Sequence, residues 1–329
     1  MRVVITGGGG FIGERLGRRV LELGRLAGEP VEEVVLFDRG FGENAKGMGA
    51  TLVEGDIGDE AQVRAVIGEG AVSVFHLASM VSGECEVGFD EAMRVNLDGG
   101  RHVLEACRGV VGEVRPRVVF ASSLAAFGGP CLDRVSGDGS KRFPETTYGM
   151  TKVIGELMVN DYTRKGFIDG RAVRLPTIVV RPGKPNTAAS SFASSLVRER
   201  LAGKVCVLPV AREQEHPVLG YRAAVECFVR VHDLDDVVLG ADRTLTLPSV
   251  TVTVQEMVEA VETFAVERGI VPGLVVDEPD TVVRRIVGGW PTGTDGGRGM
   301  ALGLLAAPGL GEIIRDYWED FGNAGALKS

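Results

Sequence analysis

The sequence predicts an α/β protein: a Rossmann-type doubly wound parallel sheet with a smaller C-terminal α/β substrate-binding domain. Three observations lead there. Up to about residue 181, short β-branched runs alternate with amphipathic stretches, the pattern of βαβ units. A glycine-rich turn, Thr6-Gly7-Gly8-Gly9-Gly10-Phe11-Ile12-Gly13, joins the first such run to a helical stretch, and the run 33–38 ends on Asp38. After residue 181 the alternation stops at Arg181-Pro182-Gly183-Lys184-Pro185-Asn186, whose two prolines and glycine break regular structure and read as a crossover.

Taken in order, strands are expected at 2–6, 33–38, 50–54, 72–77, 117–122 and 172–180, with helices at 11–24, 59–68, 90–109 and 147–165. The first strand, turn and helix form a phosphate cradle. Gly7 makes the turn, Gly10 lets the backbone approach a pyrophosphate, and Gly13 lets helix pack on strand, while the N–H groups of Phe11 and Ile12 open the helix toward the anion. Asp38 stands where a carboxylate would take the adenosine ribose hydroxyls. In Gly55-Asp56-Ile57, Asp56 either accepts the adenine amino group beside Ile57 or caps the next helix. The fourth strand runs out into His76-Leu77-Ala78-Ser79 and should open onto the same crevice. Asn96 interrupts an apolar helical face, so it is either a structural hydrogen-bonder or part of a water-linked cofactor network.

Domain 1–181 is thus expected to bind the dinucleotide, with 221–238 returning to it, and 182–329 to bind mainly substrate. The second part reads as a helix at 190–202, a strand at 205–209, an acidic loop around Glu213 and Glu215, and a returning helix at 223–232. A strand or strand pair at 244–253 leads into a helix at 254–268, begun by a Thr253/Glu256 capping box. The Arg- and Gly-rich stretch 281–299, with Trp290, is expected to be irregular, a last helix covers 309–321, and the tail 322–329 is expected to be loose.

Composition narrows the function classes. The chain has 329 residues, 44% hydrophobic and 25% charged, ordinary values for a folded protein. A net charge of -9 without a basic, aromatic-interleaved cluster argues against nucleic acid as a partner. Five cysteines, odd in number and without a Cys-x-x-Cys pair, suggest buried thiols in a reducing compartment. No His-x-x-x-His pair supports a metal site, and no apolar run is long enough for a membrane span. A cytoplasmic location is therefore expected.

The chemistry is expected at Tyr148 and Lys152, four residues apart on one helical face. A phenol is too weak an acid to act as a base near neutrality unless a cation stabilises the phenolate, which Lys152 would do. The preceding strand ends in Ser122-Ser123 at the sheet edge where ligands bind. With Ser123 orienting the substrate oxygen and Tyr148 exchanging its proton, the set suits hydride transfer with a nicotinamide cofactor. Alternatively the serines merely end a strand and Tyr148 packs on the surface.

Together these motifs resemble the extended short-chain dehydrogenase/reductases, the NAD-dependent epimerase/dehydratase group. The resemblance covers nearly the whole chain and implies a catalytic Ser123, Tyr148 and Lys152, with Asp38 favouring NAD over NADP although Arg39 follows it. It further implies that Gly7, Gly10, Phe11, Ile12, Gly13, Asp56, Ile57, Leu77, Ala78, Ser79, Asn96, Ser122 and Pro176 contact the cofactor, and that a homodimer forms through helices near 90–109 and 147–165. Two departures separate the chain from sugar-nucleotide enzymes of the group. No acid pair follows Ser123, where the sequence reads Leu124-Ala125-Ala126-Phe127, and Arg222 in Gly220-Tyr221-Arg222-Ala223 replaces a customary aspartate. The runs 122–129, 174–186 and 189–194 resemble the group's sugar-acid dehydrogenases, implying NAD-dependent oxidation of the C2 hydroxyl of a four-carbon sugar acid. Thr177, Asn186 and Arg222 join Ser123 and Tyr148 as expected substrate contacts. Arg222 is either a bidentate clamp for the carboxylate or an inter-domain salt bridge. A nucleotide-sugar epimerase that keeps its NAD bound is the competing reading, and a non-catalytic NAD-binding redox sensor is a third.

Overall fold

The computed structural model describes residues 1–68, 72–110 and 114–322. Its centre is a seven-stranded parallel sheet built from β1 (Arg2–Thr6), β2 (Glu33–Asp38), β3 (Thr51–Glu54), β4 (Val72–His76), β5 (Arg117–Ser123), β6 (Asp169–Leu175) and, far along the chain, Thr244–Thr246. In space the order is β3-β2-β1-β4-β5-β6, with Thr244–Thr246 closing the β6 edge. The order reverses between β1 and β4, and at that switch point the carboxyl ends of the strands leave a crevice. Buried runs such as Val34-Val35-Leu36-Phe37 fit a sheet covered on both faces.

The covering helices are α1 (Phe11–Leu23), α2 (Glu60–Ile67), α3 (Gly99–Arg108) and α4 (Thr147–Arg164). Asp59 accepts from the N–H groups of Ala61 and Gln62 and so starts α2, and Thr146 accepts from Gly149 to start α4. The helix expected at 90–109 is not uniform. A π-helical segment, Met93–Asp98, precedes α3 and contains Asn96. Such widened turns shift a helix face and recur near functional sites.

The strand expected at 172–180 divides at Pro176, which has no N–H to donate to a sheet ladder. Before it, β6 stays in the central sheet. After it, β7 (Thr177–Val179) pairs with Glu215–Gly220 in a second sheet that Val250–Thr253 completes. The stretch 244–253 likewise gives one strand to each sheet. Two expectations of irregular structure are corrected. The segment from Glu215 is a strand because His216, Val218 and Leu219 are buried against the core, and 281–299 holds the helix Thr281–Gly288, the strand Gly293–Asp295 and the short helix Gly297–Ala301. Asp280 caps the first of these helices, a signal present in the sequence. Residues 323–329 of the expected tail lie outside the described residues.

The second sheet packs on α5 (Ser191–Leu201), on α7 (Val254–Arg268) and on the last helix, α8 (Leu310–Phe321), with α6 (Tyr221–Asp233) between α5 and α7 in the chain. Val254–Arg268 begins with the Thr253/Glu256 box. α6 returns to the first sheet, where Ala224, Val225 and Phe228 join Leu16, Val20 and Leu36 in one apolar cluster.

Candidate active site

The glycine turn is built as a backbone cradle. Gly7 has φ 73°, a left-handed conformation that glycine adopts without strain. A Cβ at Gly13 would stand 2.2 Å from the Gly7 carbonyl oxygen, so helix and turn approach closely only because position 13 has no side chain. Gly10 caps α1 without a side-chain hydrogen bond, leaving the first-turn N–H groups of Phe11 and Ile12 available to an anion. The Phe11 ring itself faces away, packing on Tyr221 at 5.1 Å and Phe321 at 6.2 Å between centroids.

Gly7, Gly10, Asp38, Asp56, Ile57, Leu77, Ala78 and Ser79 line one cleft of about 170 Å³ together with Met80 and Glu84. Asp38 is held at the cradle, accepting from the N–H of Gly9 at 3.0 Å and of Arg39 at 2.7 Å. Asp56 accepts from its own turn at Gly58 (2.8 Å) and pairs with Arg94 at 2.9 Å, which holds its carboxyl below the usual range. It therefore serves as a turn-former while still lining the cleft. Asn96 is a structural hydrogen-bonder: its oxygen accepts from Met80 N at 2.7 Å, and its amide reaches the Met80 carbonyl and Thr151. It fixes the loop after β4 against α4.

The carboxyl end of β5 meets the start of α4 at Ser123, Tyr148 and Lys152, the groups expected to react. The Ser123 hydroxyl accepts from the Ala125 N–H at 3.1 Å and lies near enough to the Tyr148 phenol to favour its ionised form. Burial pushes the phenol up to about 12, and the Ser123 hydroxyl works against that rise. Lys152 donates to the Ala121 carbonyl at 2.9 Å and lies 5.3 Å from the Tyr148 ring centroid. Burial lowers its ammonium to about 8, while Cys85 and Glu156 favour the charged form.

Two neighbours escaped the sequence reading. Glu156 continues the Tyr148, Lys152 spacing by one more turn, a signal the sequence contained. It is fully buried and forms a two-point pair with Arg174 at 2.9 and 2.8 Å. Ser122, expected at the cofactor, is turned instead to this pair, donating to Glu156 at 2.5 Å, because successive strand residues face opposite sides. Thr177, expected at the substrate, is hydrogen-bonded to buried His216 at 2.7 Å. Pro176 is buried at the β6–β7 junction. Asn186 lines a larger hollow of about 1080 Å³ that reaches Met80 and Glu84.

Arg222 takes the salt-bridge alternative. Its guanidinium meets Asp316 at 2.8 Å, Glu319 at 3.0 Å and Asp320 at 2.7 Å, all on the last helix, so its donors are occupied by protein. Arg222→Ala is accordingly expected to leave substrate KM within about twofold and to lower stability by at most about 1 kcal/mol, since the guanidinium is more than a third exposed. Steady-state kinetics alongside thermal melting checks this, and a rise in KM without loss of stability would restore the clamp.

The described residues hold no group of three or more His, Cys, Asp or Glu side chains placed to bind a metal, and no helix among them is long and apolar enough to cross a membrane. All five cysteines are free thiols, with Cys131 alone exposed.

Comparison with known proteins bears on the same surfaces. Residues 3–240 match the profile of the NAD dependent epimerase/dehydratase family. The chain is 43% identical to a D-erythronate dehydrogenase of Cupriavidus necator, the match covering 98% of this chain and 100% of that protein. It is 34% identical to a D-erythronate dehydrogenase of Haemophilus influenzae over 97% of this chain and 99% of the other. Among solved structures, one described as a nucleoside-diphosphate-sugar epimerase from Agrobacterium tumefaciens superposes with a TM-score of 0.88 at 37% identity, covering 100% of this chain and 96% of that one.

Proposed function

We propose, from the premise that this chain belongs to the NAD dependent epimerase/dehydratase family, that it oxidises the C2 hydroxyl of D-erythronate or a closely similar four-carbon sugar acid to the 2-oxo acid. The observation that carries this reading is the gathering of Ser123, Tyr148 and the Lys152 ammonium at one end of β5 and α4, joined to full-length similarity to proteins named D-erythronate dehydrogenase. The protein is an NAD-dependent dehydrogenase.

The cradle fits a dinucleotide: the first-turn N–H groups of Phe11 and Ile12 would hold the pyrophosphate, and Asp38 would accept from the ribose hydroxyls. When bound, NAD would supply the hydride acceptor. The chain's own groups do the rest. Ser123 donates to the substrate oxygen and orients it, Tyr148 takes the hydroxyl proton as phenolate, and Lys152, over the ring face, stabilises that phenolate. Asn96 keeps the Met80 loop and α4 at fixed separation.

Asp38→Asn is expected to lower kcat/KM for NAD about tenfold and to narrow the preference for NAD over NADP, since a carboxylate both accepts from ribose hydroxyls and repels a 2'-phosphate. An unchanged NAD-to-NADP ratio would contradict the placement. The pH dependence follows from opposed demands. Rising pH favours the phenolate but removes the Lys152 proton at about 8. The kcat/KM for oxidation is expected to climb from neutral pH and bend near pH 8, and Lys152→Arg, which stays charged, is expected to remove that bend at reduced overall activity. A wild-type profile climbing unbroken well above pH 8 would contradict it.

The epimerase reading is kept in view by the Agrobacterium tumefaciens structure. Initial rates with D-erythronate and with UDP-sugars decide between them: net NADH formation with the acid supports the dehydrogenase, and epimer formation without net NADH supports the alternative. We place the protein in the cytoplasm, as a homodimer through helices 90–109 and 147–165, the second of which exposes Leu157. Sedimentation of the wild type and of Leu157→Glu tests that contact.

A further inference from the structure

An ammonium taken into a protein core gives up its water and has three N–H donors to satisfy, so it needs partners there. Lys152 is 4% exposed, and among the described residues its one hydrogen bond goes to the Ala121 carbonyl, at 2.9 Å. Glu156, one turn further along α4, is engaged by Arg174 and Arg142 instead. What otherwise faces the ammonium is aromatic. Its Nζ lies 5.3 Å from the centroid of the Tyr148 ring and 5.1 Å from that of Phe120. The negative centre of an aromatic face attracts a cation at that range, and more strongly where both are desolvated.

The Phe120 ring is fixed from two directions. Thr6, His76 and Phe120 stand in register across β1, β4 and β5, on one face of the sheet. His76 is stacked on Phe120, with centroids 5.6 Å and planes 28° apart, and its Nδ1 is hydrogen-bonded to Thr6 Oγ1 at 2.7 Å. Over the ring comes α4, at Gly155, where a Cβ would stand 2.5 Å from Phe120 Cζ. The missing side chain lets the helix that carries Lys152 settle onto Phe120. Thr6 is the last residue of β1, directly before the glycine turn, so one lateral row joins the cofactor cradle to Lys152.

The charges around this row agree with it. Burial and the Lys152 charge hold the His76 imidazolium down to about 3, so the ring stacked on Phe120 stays neutral and adds no positive charge. The other titratable groups facing Lys152 are Tyr148 and Glu156 on its own helix and Cys85 on the helix Ser82–Val87. Cys85 and Glu156 favour the ammonium, against the burial that lowers it.

We propose that Phe120 is the positioning residue of Lys152: its ring face receives the ammonium, keeps it charged and fixes it beside the Tyr148 ring. The catalytic consequence rests on the dehydrogenase reading above, in which the Tyr148 phenolate needs that cation.

The test follows Lys152 apart from turnover. The chain has seven lysines, so the Lys152 signal in protein carrying carbon-13 at the lysine Cε is resolved by NMR and assigned by its loss in Lys152→Arg. Phe120→Leu removes the ring. Replacing Phe120 with its ring-fluorinated analogue, tetrafluorophenylalanine, keeps the shape but drains the face of electron density. In both proteins Lys152 is expected to lose its proton about one pH unit lower than in wild type. The bend in the pH profile of kcat/KM is expected to move with it, and the fluorinated protein is expected to keep the wild-type Tm and NADH affinity. Where Phe120→Leu does not fold, the fluorinated protein carries the test. An unmoved Lys152 titration in the fluorinated protein overturns the proposal, whatever Phe120→Leu does to Tm or rate, because that result marks a packing residue. A Lys152 titration that moves while the bend in the rate profile stays supports the seat and removes the proposed part of Lys152 in the reaction.

Discussion

Tyr148→Phe is expected to lower kcat roughly 100- to 10,000-fold while NAD affinity and Tm stay at the wild-type values. The ring survives the substitution, so its packing against the second-domain core and beneath Lys152 is kept. What goes is one oxygen, the phenol group that the Ser123 hydroxyl adjoins. Burial makes this phenol a poorer acid, pushed up to about 12, so the proposed proton transfer would need both the Ser123 hydroxyl and the nearby Lys152 cation. Ser123→Ala should therefore cost activity in a manner less than additive with Tyr148→Phe, since the two groups act on one oxygen. Stopped-flow NAD binding and steady-state rates check both substitutions. Activity within a few-fold of wild type in Tyr148→Phe would exclude it as the base and would favour the non-catalytic sensor.

Glu156→Ala is expected to destabilise the protein by roughly 3–5 kcal/mol, a fall in Tm on the order of 10 °C. Glu156 and Arg174 have no exposed side-chain surface, and removing the carboxylate strands a buried guanidinium together with the Ser122 hydroxyl. Glu156→Gln keeps the shape and loses the charge, so its cost should be smaller. It has a second consequence, because the Glu156 charge helps keep Lys152 protonated. Without it the Lys152 proton is lost at lower pH, and the bend in the pH profile is expected to move toward neutrality. Denaturant unfolding and the pH–rate profile read the two effects separately. A loss below about 1 kcal/mol in Glu156→Ala would contradict the pairing.

Much of this was legible in the chain because the relevant signals are local. The Gly7 to Gly13 spacing, Asp38 after a buried strand, and Tyr148 four residues before Lys152 each depend on a few consecutive residues whose geometry is set by one turn or one helix. The cleft gathers Gly7, Gly10, Asp38, Asp56, Ile57, Leu77, Ala78 and Ser79 as the crevice rule expects. What the sequence concealed is long-range. Ser122 and Ser123 look equivalent in the chain, and only the pleat of β5 sends one to Glu156 and the other to Tyr148. Thr177 is committed to His216, 39 residues away, and Arg222 to a helix about a hundred residues on. No local pattern records those partners. The division at Pro176 was readable, since a proline inside a nominal nine-residue strand argues against one continuous ladder. The capping Asp280 and the 156 position of the α4 stripe were readable as well.

The most direct measurement follows the substrate's C2 hydrogen. D-Erythronate deuterated at C2 is incubated with the protein and NAD, and the nucleotide and acid products are analysed by mass spectrometry. Deuterium appearing in NADH, with a 2-oxo acid formed in equal amount and a slower rate than for the unlabelled acid, is the predicted result. Deuterium retained in the organic product, or returned to it without net NADH, would contradict oxidation at C2.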